Sequence, residues 1–187
     1  MSLSNFIIRT EGLSTFCSWD RAVAGIGYAA GIEHAAGIGH AAGIGHAAGI
    51  GHVTGIGHVA ERIDRVLSGE GTLPVVCFSV GGNDIGKVRG EELFKRYREA
   101  LGKIRDRGGI PIVCGVLSRR GVGRQWLSRA IAINCRLEKH CANNGWSFID
   151  DWQPFYGNDY LYSRDGVHLS PAGVKTLSAS LEREIVR

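Results

Sequence analysis

The chain has 187 residues, which is enough for one domain with a substantial hydrophobic core. Hydrophobic residues make up 44% and charged residues 21%, a balance that is ordinary for a globular protein. The formal net charge is +4, but the sequence has neither a zinc-finger spacing nor an aromatic-rich basic stretch, so a nucleic-acid partner is not directly supported.

The N-terminus and the cysteines indicate the compartment. The first residues lack a basic segment followed by an apolar core and a cleavage site, so no signal peptide is predicted. The five cysteines are odd in number and have no CxxC spacing, which is typical of reduced thiols in an intracellular protein. We therefore predict a cytoplasmic protein.

Residues 1–23 form an N-terminal segment that contains one candidate strand. Asn5, Phe6, Ile7 and Ile8 give a short apolar run that could be the first strand of a sheet. The hydroxyl side chains that follow it include those of Thr10, Ser14 and Ser18. By residue type alone, each of them is more often a loop or capping residue than a nucleophile.

A hexapeptide repeat comes next, and we assign it residues 24–58. Six copies of a Gly/Ile/Gly/His/Ala unit run through residues 24–59. The unit fits the pattern of left-handed β-helices, but six copies would make only about two coils, fewer than a stacked array usually needs. The alternative is an expansion of one short glycine turn. Glycine and histidine dilute the apolar residues too strongly for a membrane span.

The repeat places histidines at positions 34, 40, 46, 52 and 58. Their spacing of six spreads them around a helix, and in an extended chain neighbouring histidines lie about 20 Å apart. Only stacked coils would gather them around one ion, so no metal site is predicted.

From residue 59 to residue 187 the pattern is that of an α/β domain. Apolar periodicity predicts helices at 59–68, 90–107, 123–143 and 171–185, and strands at 74–80, 110–117 and 146–150. Strands that alternate with helices favour a parallel sheet with right-handed crossovers. The loops at the carboxyl ends of these strands are therefore the expected site of function.

An acid and an imidazole lie three residues apart near the C-terminus. Asp165 and His168 flank a turn made tight by Gly166, and the turn leads into a helix that Ser170 can cap and Pro171 can begin. A carboxylate that binds one ring nitrogen of histidine holds its tautomer and leaves the other nitrogen to accept a proton. The pair therefore suits a general base.

A second motif follows the strand at 74–80, where the chain continues as Gly81-Gly82-Asn83-Asp84. At the carboxyl end of a parallel strand, the Asn83 amide can donate a hydrogen bond to a developing oxyanion.

Together these segments resemble the SGNH hydrolases, also called GDSL-type esterases and lipases. Gly81 to Asp84 match the family's Gly-x-Asn-Asp block, and Asp165, His168 and Leu169 match its Asp-x-x-His-Leu block. The resemblance covers about residues 53–187. It implies a flavodoxin-like three-layer α/β/α sandwich, with His168 as base, Asp165 as its orienting acid and Asn83 as oxyanion donor.

The resemblance also implies a small-molecule ester substrate and no metal or organic cofactor. The glycine turn before the helix at 59–68 is similar to the family's second block, whose backbone N–H adds to the oxyanion hole. Gly55 is the first candidate for that donor and Gly57 the next. Similar domains occur in proteins encoded by retrotransposons, an origin that would suit this chain.

One block of the family is missing, because no Gly-Asp-Ser occurs anywhere in the sequence. Two interpretations follow: the chain is an esterase-like domain without a nucleophile, or Ser14, Thr10 or Ser18 has taken over the role. The missing block favours the first. A competing hypothesis is a non-enzymatic binding protein in which the repeat engages the partner and the α/β domain carries it.

Two further groups surround the predicted site. Arg119, Arg120 and Arg124 follow the strand at 110–117 and form either a rim for anionic ligands or a solvated loop. Five aromatic residues between 152 and 162 precede Asp165, and their spacing fits either an acyl pocket or core anchors.

Overall fold

The computed structural model describes residues 6–7, 56, 63 and 75–185. Four parallel strands form one sheet in the order β1-β2-β3-β4, and each strand pairs with the next one along the chain. The strands are β1 (Phe6–Ile7), β2 (Val75–Phe78), β3 (Ile110–Cys114) and β4 (Ser147–Ile149). The predicted parallel sheet is confirmed.

The helices follow the predicted order. They are α1 (Gly90–Asp106), α2 (Arg124–Asn144), the short α3 (Trp152–Phe155) and α4 (Pro171–Ile185), with a 3₁₀ turn at Asp159–Leu161 before α4. The helix expected at 59–68 lies outside the described residues except for Ile63, which is helical and buried.

Helices cover both faces of the sheet. Alternate strand residues point to opposite sides, so Val76 and Phe78 join one apolar core while Cys77 joins the other. The first core is closed by α1 and α2, and the second by α4 and the residues that precede it. The result is the predicted three-layer α/β/α arrangement.

The strands are shorter than their apolar runs predict. Val80 and Val116 are buried, but both lie beyond the last paired residue of their strands. The Asn134 side chain of α2 replaces the lost pairing, since its Oδ1 accepts from the Val116 N–H at 2.8 Å and its Nδ2 donates to the Val116 carbonyl at 2.9 Å. The residues after β2 and β3 thus remain buried although strand pairing has ended, and the chain turns there into the loops at the carboxyl edge.

Asp151 is a buried carboxyl that links the end of β4 to α4. Its Oδ1 accepts a hydrogen bond from the Ser180 hydroxyl at 2.7 Å, while its buried Oδ2 has no hydrogen-bond partner among the described residues. Burial raises the pKa of Asp151 above its usual 3.8 because the charged form is disfavoured there, and this outweighs the Ser180 hydrogen bond.

This raised pKa predicts how stability depends on pH. The folded protein holds the Asp151 proton more tightly than the unfolded chain does. The stabilisation that this proton gives is therefore lost as the pH rises from near 3.8 through the pKa of Asp151 in the folded state. In Asp151→Asn that loss is absent. We expect the free energy of unfolding of the wild type, measured with urea, to fall relative to that of Asp151→Asn as the pH rises above about 4. Identical pH profiles would contradict this.

Candidate functional site

Three loops meet at the carboxyl edge of the sheet. They follow β2, β3 and the 3₁₀ turn, and a small cleft opens between them. The cleft is lined by Ser79, Val80, Gly82, Val116, Leu117, Ser118, Arg119, Val167 and Leu169. It therefore adjoins the chain on either side of His168 and immediately before Asn83.

Asp165 and His168 form the predicted pair. The Asp165 Oδ1 accepts the backbone N–H groups of Val167 and His168, both at 2.9 Å, and its Oδ2 contacts His168 Nδ1 in a short hydrogen bond. The pKa of Asp165 lies well below its usual range. The largest cause is the hydrogen bond from His168, and the two backbone hydrogen bonds add to it.

An ionised Asp165 can only accept hydrogen bonds, so Nδ1 of the neutral imidazole carries the proton and Nε2 has a lone pair. Both side chains are accessible to solvent, with relative exposures of 41% for His168 and 48% for Asp165. The arrangement therefore presents a tautomerically fixed base to the edge of the cleft.

Gly166 brings this turn against the loop that follows β3. Its φ of +70° lies in the left-handed region, and a Cβ there would come within 2.7 Å of the Arg120 Cβ. The Gly166 carbonyl also accepts the Arg120 N–H at 3.0 Å. Ser170 caps α4 as predicted, because its hydroxyl accepts the Gly173 N–H at 3.2 Å.

The Asn83 turn depends on Gly81. Its carbonyl accepts the N–H groups of Asp84 and Ile85, at 3.0 and 3.2 Å. Its φ is +100°, and a Cβ at this position would lie 2.0 Å from the hydroxyl oxygen of Tyr97. The turn thus holds Asn83 at the end of β2, where its Oδ1 accepts from Arg119 Nη2 at 3.1 Å.

Asp84 makes a contact that the sequence did not reveal. This buried carboxylate accepts the backbone N–H of the buried Ile56 through Oδ2 at 3.1 Å. Ile56 directly follows Gly55, so the bond holds the chain next to Gly55 beside the Asn83 turn. The only signal for it in the sequence was the acid that ends the Gly-x-Asn-Asp block. Gly55, Gly57 and the candidate nucleophiles Thr10, Ser14 and Ser18 lie outside the described residues.

Two arginines of the loop that follows β3 make contacts that neither interpretation predicted. Arg119 binds Asn83, and its guanidinium carbon lies 5.4 Å from the ring centroid of Trp126. Arg120 forms an ion pair with Asp159 at 3.2 Å. Two of the three arginines therefore hold parts of the protein together.

The aromatic residues before Asp165 divide into two groups. Trp152, Phe155 and Tyr162 are buried and act as core anchors, while Tyr156 and Tyr160 are exposed. The Tyr162 hydroxyl also lies 2.9 Å from the Ser118 hydroxyl at the floor of the cleft. Burial raises the pKa of Tyr162 despite this contact.

Within residues 75–185 and the few others described, no three side chains of His, Cys, Asp or Glu are grouped as metal ligands. None of the helices among them combines the length and apolar character required to cross a bilayer.

Residues 10–175 match the model of the GDSL-like Lipase/Acylhydrolase family. The esterase domain of the ZfL2-1 ORF1 protein from the zebrafish ZfL2-1 retrotransposon is 31% identical, with a TM-score of 0.51 over 60% of this chain and 72% of that one. A search of curated proteins found no match.

Two bacterial structures share the fold at lower identity. A GDSL-like lipase from Bacteroides thetaiotaomicron is 20% identical, with a TM-score of 0.63 over 74% of both chains. A member of the lipolytic G-D-S-L family from Veillonella parvula is 14% identical, with a TM-score of 0.64 over 74% of this chain and 78% of that one.

Proposed function

Because the chain belongs to the GDSL-like lipase/acylhydrolase family, we propose that it hydrolyses a carboxylic ester of a small molecule through an acyl-enzyme. The observation that carries this proposal is the Asp165 and His168 pair, whose turn lines the same cleft as the Asn83 turn. The 31% identity to an esterase domain supports the ester as substrate, and that domain's source supports an origin in a retrotransposon.

The chemistry follows from the tautomer. His168 Nε2 accepts the proton of a serine hydroxyl as that oxygen attacks the ester carbonyl, and Asp165 stabilises the imidazolium that forms. The Asn83 amide and a backbone N–H donate hydrogen bonds to the oxyanion. His168 then protonates the leaving alcohol. A water molecule, activated by the same base, releases the acid and restores the serine.

We assign the nucleophile to Ser14. The family match extends back to residue 10, and Ser14 is the first serine within the matched range. β1 ends at Ile7 and runs parallel to β2, so the chain leaves it toward the edge of the sheet that carries the cleft. The missing Gly-Asp-Ser block favours loss of the nucleophile instead, and labelling of the intact protein with a fluorophosphonate distinguishes the two interpretations. Gly55 is the backbone donor that we assign, since the bond from Ile56 to Asp84 holds its neighbour near Asn83.

Asn83→Ala tests the oxyanion role. We expect the wild type to hydrolyse p-nitrophenyl butyrate and kcat to fall about 10²- to 10³-fold in the variant, because the amide binds the transition state more strongly than the ester. KM should change little.

Asn144→Ala is the matched control, because Asn144 lies at the exposed end of α2 and, among the described residues, its side chain bonds only to His140 one turn earlier. Hydrolysis no faster than in buffer would contradict the proposed function, and would favour the non-enzymatic hypothesis based on the repeat. An unchanged kcat in Asn83→Ala would remove Asn83 from the mechanism.

A further inference from the structure

We propose that Arg119 is a positioning residue that fixes the orientation of the Asn83 amide and ties it to the His168 loop. This inference rests on the proposed function, because it assigns a role within the same site. Its starting point is the bond from Arg119 Nη2 to Asn83 Oδ1 at 3.1 Å, between residues 36 positions apart in the chain.

The chemistry of arginine makes this bond selective. The side-chain amide of asparagine can rotate by 180°, so at an oxyanion site it can present either its N–H donors or its oxygen. The oxygen would repel the developing negative charge. A guanidinium has donors only, so it can pair with Oδ1 but not with Nδ2. Arg119 therefore selects one amide orientation, with Nδ2 directed away from the guanidinium.

Arg119 is itself held in place. Its guanidinium carbon lies over the Trp126 ring, and the backbone N–H of Trp126 donates to the Gly123 carbonyl at 3.0 Å in the first turn of α2. This cation–π contact restricts the rotation of a side chain that would otherwise sample many rotamers. The Asn83 amide is thereby anchored to α2 through Arg119 and Trp126.

The residues on either side of Arg119 connect it to the base. The Ser118 hydroxyl contacts that of Tyr162, and the Arg120 N–H bonds the carbonyl of Gly166, inside the Asp165 and His168 turn. Three consecutive residues thus join the Asn83 turn to the turn that carries the base. This loop fixes the distance between the oxyanion donor and the base, which catalysis requires to be constant.

A double-mutant cycle tests this role. Arg119→Gln replaces the donor-only group with a side chain that can bind either end of the amide. We expect kcat for the neutral ester p-nitrophenyl butyrate to fall about tenfold with KM within about twofold, less than the loss of the donor itself. Since Arg119 acts through Asn83, adding Arg119→Gln to Asn83→Ala should cause no further loss.

Arg119→Lys keeps the charge and a donor-only group and should recover part of the rate. Arg124→Gln, an exposed arginine at the start of α2, is the matched control and should leave kcat unchanged. Fully additive losses in the double variant would overturn the proposal. So would a higher KM for an anionic ester with an unchanged kcat, because that result would assign Arg119 to substrate binding.

A measurement without turnover separates this inference from the proposed function. The side-chain amide resonances of Asn83, identified by their disappearance in Asn83→Ala, should shift in Arg119→Gln but not in Arg124→Gln. If the wild type were inactive yet these resonances shifted, the hydrolase proposal would fail while the positioning contact stood. Unchanged resonances in Arg119→Gln would overturn the contact whatever the activity.

Discussion

Replacing His168 with alanine is expected to lower kcat for p-nitrophenyl butyrate by about 10⁴-fold or more. The imidazole is the side chain whose tautomer the structure fixes, through its short bond to Asp165 and the two backbone bonds that keep that carboxylate ionised. Without it no group takes the proton from the nucleophile. KM should stay close to the wild-type value, because the loss falls on the transition state.

His140→Ala is the control for this substitution. His140 lies on α2 and packs between Phe94 and Trp146, and none of these three residues lines the cleft. Burial lowers the pKa of His140, with a smaller contribution from Arg98, and no carboxylate among the described residues forms an ion pair with it. Its removal should leave kcat unchanged. Equal losses in both variants would indicate general destabilisation and not the loss of a base.

Ser14→Ala is expected to reduce kcat by about 10⁴- to 10⁶-fold. The remaining rate would come from the oxyanion hole and from ester binding, with water in place of the serine. Members of such a triad act as a unit, so the double variant of Ser14 and His168 should be no slower than the slower single variant.

Ser128→Ala, at an exposed position on α2, is the control for Ser14→Ala. Wild-type rates in Ser14→Ala would refute the assignment and transfer it to Thr10 or Ser18, the other candidate hydroxyls named after β1. A wild type that matches the slow rate of Ser14→Ala would instead support the interpretation of a hydrolase scaffold without a nucleophile.

The fold could be predicted because its signals are local. Long amphipathic segments such as α1 and α2 display the helical period over many turns, and their bounds agree with the sequence to within one residue at each end. α3 was missed because four residues give no period. The strand ends were placed too far along because Val80 and Val116 remain buried after pairing stops.

The site, like the fold, could be predicted only where its contacts join residues that are close in the sequence. Asp165 and His168 are three residues apart, so one turn predicts their contact. The bonds from Arg119 to Asn83 and from Ile56 to Asp84 span 36 and 28 residues, and no local pattern indicates them. Such contacts depend on how the loops converge once the sheet has formed. A loop arginine in isolation is more often solvated than a structural partner of an asparagine.

Active-site labelling tests the central claim most directly. The intact protein would be treated with a fluorophosphonate, which reacts with activated serines, and the adduct located by peptide mass spectrometry. We predict a single adduct on the peptide that contains Ser14. An unlabelled protein, or an adduct on Ser79 at the cleft, would contradict the assignment of Ser14 as the nucleophile that His168 activates.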